Sequence, residues 1–185
     1  MKNFILTILI FLIFSTTQCF AYNLKDFSND AKILSAMQLL EQSGDTDVFE
    51  NLKRNAVKVK FYNLSTMSAG QNVFAANTYN QYGRRVILIN SIYKDAPAEQ
   101  IACLIAHESY HTARKATLDE ETRATTKEAQ CWRRLQVASK TYPQTRLTKR
   151  LNRISNLEIA STVNTNYIQD KIANSSFYKT QFSFN

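Results

Sequence analysis

The stretch Pro97-Ala98-Glu99-Gln100-Ile101-Ala102-Cys103-Leu104-Ile105-Ala106-His107-Glu108-Ser109-Tyr110-His111 decides how the chain is read. Pro97 suits the first turn of a helix, where its missing N–H costs little, and no further breaker precedes the histidines. Ile101 to Ala106 are apolar enough to bury that helix. His107 and His111 stand four apart, so their imidazoles leave one face a turn apart and can converge on a single tetrahedral metal. Glu108 falls to the side, where it can hold a water at the metal without ligating. These are the only 2 histidines in the chain, so they are not drawn from a scatter of surface histidines. Two imidazoles at the end of a buried helix need polar partners, and a metal would satisfy them.

A catalytic zinc also needs a third protein ligand and an open position. Downstream, Asp119, Glu120, Glu121 and Glu128 are the candidates. Thr117-Leu118-Asp119-Glu120 reads as a capping box opening a second helix that can run to about Lys140. The box accounts for Glu120, and Asp119 is a favourable charge in the first helical turn. If the two helices form an antiparallel hairpin turning near Ala116, Glu121 comes level with His111. Glu128 then falls nearer Leu104, about a turn beyond His107. The same hairpin sets Cys103 within a turn of Cys131, where a disulfide would fit.

Upstream, the helical period gives way to alternation. Val57-Lys58-Val59-Lys60-Phe61-Tyr62 predicts a strand with one buried face, Asn72–Tyr79 a second, and Arg85-Val86-Ile87-Leu88-Ile89 a central strand. Asn80-Gln81-Tyr82-Gly83 supplies the hairpin turn between the last two. An amphipathic helix is expected over residues 26–43 and a shorter helical turn over residues 47–55. Beyond Pro143, Leu147, Leu151, Ile154 and Leu157 outline a further helix with Lys149, Arg150 and Arg153 on its polar side. From about Ser161 the chain is polar with scattered aromatics and could be irregular. The expected fold is α+β: one domain, with a small, mostly antiparallel sheet packed on the histidine helix and on the antiparallel helix that follows.

Lys2, the apolar run Phe4–Phe14 and the small residues Cys19 and Ala21 have the three-part layout of a secretory signal over residues 1–21. Cleavage before Tyr22 would leave 164 of the 185 residues, enough for one domain, 22–185. The destination would be periplasmic or secreted. Of 3 cysteines, Cys103 and Cys131 would then remain in an oxidising compartment, and one disulfide is expected. The formal charge of +8 favours weak contact with anionic surfaces without indicating a specific nucleic acid.

His107-Glu108-Ser109-Tyr110-His111 resembles the HExxH motif of the zincin metallopeptidases. Glu121-Thr122-Arg123-Ala124 is similar to the Glu-x-x-Ala of the gluzincins, zincins whose third ligand is a downstream glutamate. The likeness covers residues 97–132, and the spacing from His111 to Glu121 is shorter than in many members. Metzincin chemistry is excluded, because it requires a third histidine. The resemblance implies one Zn2+ per chain bound by His107, His111 and Glu121, with Glu128 as a partner behind them or as the alternative ligand. It implies a peptide or protein substrate and Glu108 as general base. An oxyanion donor is expected among tyrosines such as Tyr110, Tyr142, Tyr167 and Tyr178, with no spacing to single one out. The alternatives are a catalytically inactive zincin-like binding protein and a basic accessory protein of the cell envelope.

Overall fold

In the computed structural model the described residues are 22–67, 73–113, 116–137, 140–161 and 166–175. The expected signal, residues 1–21, lies outside them. Helix α1 (Ala31–Gln42) starts where the Asp30 carboxylate accepts from the N–H groups of Lys32 at 2.9 Å and Ile33 at 3.2 Å, filling donors a helix start leaves open. It buries Ile33, Ala36, Met37 and Leu40. After Gly44, at φ 75°, helix α2 (Thr46–Arg54) buries Val48, Phe49 and Leu52.

The sheet has three strands, β1 (Lys58–Tyr62), β2 (Ala75–Tyr79) and β3 (Arg85–Asn90), in the order β1-β3-β2. β2 and β3 form the expected hairpin, pairing Ala75 with Ile89 through Tyr79 with Arg85. Its turn is held by the Asn80 side chain, which accepts from the N–H groups of Tyr82 and Arg84. β1 pairs with β3 in parallel, Lys58 opposite Val86. The sheet is therefore mixed, which corrects the mostly antiparallel expectation. Alternation in β1 shows which face is buried and says nothing of direction. The chain crosses from one edge to the other and then turns back into the middle, so β3 runs the same way as β1. All six residues of β3 are buried. Ile87 and Ile89 join the main core, while Val86 and Leu88 pack with Leu64 on the opposite face. A strand covered on both faces reads as a continuous apolar run.

Helix α3 (Ala98–Ser109) is buried from Glu99 to Ser109. It lies against the sheet, α1 and helix α4 (Leu118–Leu135). α4 ends five residues short of Lys140, where Gln136 turns extended at ψ 127°. Helix α5 (Arg146–Ser161) packs on α4, and its Leu147, Leu151 and Ile154 join the main core. The tail beyond residue 161, which could have been irregular, includes helix α6 (Tyr167–Ala173), whose buried Ile168 and Ile172 seat it on α4 and α5. No helix among the described residues is long and apolar enough to cross a membrane.

The hairpin of α3 and α4 brings Cys103 and Cys131 together, with sulfurs 3.3 Å apart and both side chains fully buried. They are free thiols, so the expected disulfide is not formed here. Burial pushes the Cys103 thiol well up, disfavouring the thiolate through which oxidation proceeds. Closing the pair to the ~2.05 Å of a disulfide needs a small inward shift. The cysteines are 28 positions apart, so oxidised protein is expected to exceed reduced protein by roughly 3.5 kcal/mol in denaturant unfolding. Equal midpoints with and without reductant, while mass analysis shows the bond formed, would contradict this.

Candidate metal centre

The last turn of α3 presents His107 and Glu108, and His111 follows just beyond its end. A helix terminus leaves carbonyls without intrahelical donors. Here the sheet supplies them: the Asn77 side-chain amide of β2 donates to the carbonyls of Glu108 at 2.9 Å and His111 at 2.8 Å. The Arg85 guanidinium of β3 also donates to the His111 carbonyl. A cation there is favoured by the helix dipole. The motif is thus fixed at its C-terminal end by two strands.

α4 begins at Thr117, whose hydroxyl accepts from the Glu120 N–H at 3.1 Å, the first half of the expected capping box. The Glu120 carboxylate serves the link between the helices: it accepts from Thr112 N–H at 3.0 Å, Thr112 Oγ1 at 2.7 Å and Ala113 N–H at 3.3 Å. All three bonds fall on Oε1, while Oε2 is buried without a hydrogen-bond partner. Asp119 is exposed and paired with Arg123 at 3.0 Å.

Glu121, one turn into α4, faces both imidazoles. Its carboxylate oxygens lie 3.8 Å from His107 Nε2 and 3.7 Å from His111 Nε2, and the two Nε2 atoms are 3.2 Å apart. A tetrahedral ion with bonds of about 2.0–2.1 Å separates its ligands by about 3.3–3.4 Å. The Nε2–Nε2 separation is close to that value, and the two Glu121 distances, one from each carboxylate oxygen, are a few tenths of an ångström longer. All three side chains are buried, and the group could hold a metal ion.

Glu128 is placed differently. One of its oxygens sits 3.0 Å from His107 Nδ1, the nitrogen on the other side of the ring. Arg150 of α5 grips the same carboxylate with two bonds, Nε to Oε1 at 3.0 Å and Nη2 to Oε2 at 2.7 Å. Glu128 is completely buried. A carboxylate on the outer nitrogen of a ligating histidine fixes the ring and leaves Nε2 for the ion.

Burial dominates the electrostatics. It pushes the Glu108 carboxyl up; His107 partly offsets this, Glu121 and Glu128 add to it, and the result is about 7. Burial, then the neighbouring His107, lowers His111 to about 4, so its imidazole is neutral near pH 7 and free to ligate. For His107 burial acts downward, and Glu128 outweighs it to raise the group. Burial would raise Glu128, yet Arg150 and His107 hold it at about 2. Neither His107 Nδ1 nor His111 Nδ1 makes a hydrogen bond of good geometry, but the former has the Glu128 carboxylate 3.0 Å away as its ionic neighbour.

Tyr110 turns away from the histidines: its hydroxyl donates to Asp47 of α2 at 2.5 Å, and Asp47 also accepts from Lys127 of α4 at 2.6 Å. Tyr110 is therefore a tie between elements. Tyr110→Phe is expected to lower stability by about 1 kcal/mol, since the bond is to a charged but half-exposed group, and to leave metal content unchanged. Metal analysis beside thermal melts checks both halves. Tyr142 packs edge-on against Trp132, and Tyr178 lies outside the described residues.

Three contributors escaped the sequence reading. Lys149 and Arg153 are exposed, as a basic helix face requires, but Arg150 turns inward. The signal was its spacing: Arg150 stands three after Leu147 and four before Ile154, on the apolar stripe. Arg85 opens an otherwise apolar central strand, which could have marked a buried cation. For Asn77 no local signal existed. Comparison with protein-family models, with curated proteins and with solved structures gives no match to this chain.

Proposed function

We propose that this chain is an exported zinc-dependent metallopeptidase of the gluzincin kind, with His107, His111 and Glu121 as ligands and Glu108 as general base. One observation carries the reading: one donor atom from each of His107, His111 and Glu121, all of types zinc accepts, lies within 4.8 Å of the other two in a buried cluster. Bound there, zinc would act as a Lewis acid toward an amide carbonyl and lower the pKa of water to near 7. Glu108 ligates nothing in this scheme. Its carboxylate takes the proton of the attacking water and returns it to the leaving amine. β2 is an edge strand whose side chain Asn77 holds the motif, so an extended peptide could pair along it and pass the histidines.

The low exposure of His107, Glu108 and His111, 6 %, 7 % and 7 %, favours a second reading, a zincin-like domain that binds metal without hydrolysis. The test is elemental analysis of the purified protein together with digestion of a mixed peptide library. About one zinc per chain is expected, with cleavage stopped by a chelator and restored by zinc. Zinc without cleavage would favour the second reading, and neither would overturn both.

A further inference from the structure

We propose that Arg150 is a positioning residue for the metal centre: through Glu128 it holds His107 with Nε2 turned to His111 and Glu121. The inference rests on the metal-site reading above and adds a third helix to it. α3 and α4 supply the donors, but the Glu128 carboxylate has two oxygens and a free torsion, so its 3.0 Å contact with His107 alone would not set its plane. The Arg150 fork does set it, because two parallel N–H bonds fix both oxygens at once. A fully buried carboxylate also requires a charged partner to remain in the interior.

The fork is itself braced. The guanidinium of Arg150 lies over the Phe74 ring at 5.4 Å and that of Arg146 at 5.5 Å. Phe74 stacks in turn on Tyr93, with ring centroids 5.4 Å apart. Cationic groups over an aromatic face are attracted to it. Phe74 directly precedes β2, the strand whose Asn77 caps the motif. His107 is therefore set from two sides by one segment, through Asn77 at the helix end and through Arg150 and Glu128 at the ring.

Two measurements on the purified protein test this. The first is zinc affinity by competition with a chromophoric chelator. The second is the 15N spectrum of the two histidines in metal-free protein, which reports the tautomer directly. Arg150→Gln and Glu128→Gln are each expected to weaken zinc binding by about 10–100-fold. The double variant should be little worse than either, because both remove one relay. Arg150→Lys keeps the charge without the fork and should resemble Arg150→Gln more than wild type; it carries the test if the glutamine variant does not fold. Lys149→Gln, on the exposed side of α5, should bind as wild type does.

In metal-free wild type His107 is expected to carry its proton on Nδ1, and Arg150→Gln should lose that preference. Wild-type affinity in both single variants, or losses that multiply in the double variant, would overturn the proposal. If wild type binds no zinc while His107 is locked in that tautomer by Arg150, the relay stands and the metal reading falls.

Discussion

Glu108→Gln is expected to retain zinc and to lose hydrolysis by about 10²–10⁴-fold, the range a positioned acid–base group contributes. The substitution removes a proton acceptor and preserves shape. It touches none of the three donors, and the Asn77 bond is to the Glu108 main-chain carbonyl, so the helix end keeps its cap. The environment also favours the change. Glu108 is buried near Glu121 and Glu128, both of which push its carboxyl further up. A neutral amide removes that repulsion, so the variant should be at least as stable as wild type. A folded, zinc-loaded and inactive protein separates chemistry from structure. If Glu108→Gln cleaves peptides as wild type does, Glu108 is not the base; if the biological effect survives without cleavage, the binding reading takes over.

The hairpin of α3 and α4 was legible because two helices, a short link and antiparallel packing leave few registers. Level placement put Glu121 beside His111 and Cys103 beside Cys131, and both pairs are in contact, at 3.7 Å and 3.3 Å. It misplaced Glu128 by about a turn, opposite Leu104. The reason is side-chain direction: in each helix the Cα–Cβ bonds lean toward its own N-terminus. In an antiparallel pair these leans oppose, so His107 and Glu128 reach toward each other across the offset and meet at 3.0 Å. Backbone level alone cannot show this.

Strand direction was not legible for another reason. The period of β1 encodes a buried face, and the order β1-β3-β2 depends on where the chain crosses, which no local pattern records. Arg150 was hidden by composition. Within Lys149, Arg150 and Arg153 the type of charge is the same, and only contact with Glu128 separates the buried cation from its exposed neighbours. Helix existence follows from local periodicity; the supports of the site come from elements far apart in sequence.

Glu121 and Glu128, the two α4 carboxylates nearest the His107 ring, should therefore differ in kind when removed. His111→Ala and Glu121→Ala each delete a proposed donor and should reduce zinc affinity beyond the roughly 10–100-fold expected of an outer partner such as Glu128. Glu128→Gln keeps the size of the side chain and a hydrogen-bonding carbonyl, so His107 retains a weaker acceptor and zinc still meets three donors. Equilibrium competition for zinc ranks the three variants on one scale. Retention in Glu121→Ala with complete loss in Glu128→Gln would move the third ligand to Glu128. That outcome requires the His107 ring to turn over, because Glu128 now meets Nδ1 while Nε2 faces His111. It also requires Arg150 to release a carboxylate it holds by two bonds. Glu121 needs neither rearrangement, since its oxygens already stand within 3.8 Å of both Nε2 atoms. The ranking thus follows from which nitrogen of His107 each carboxylate faces.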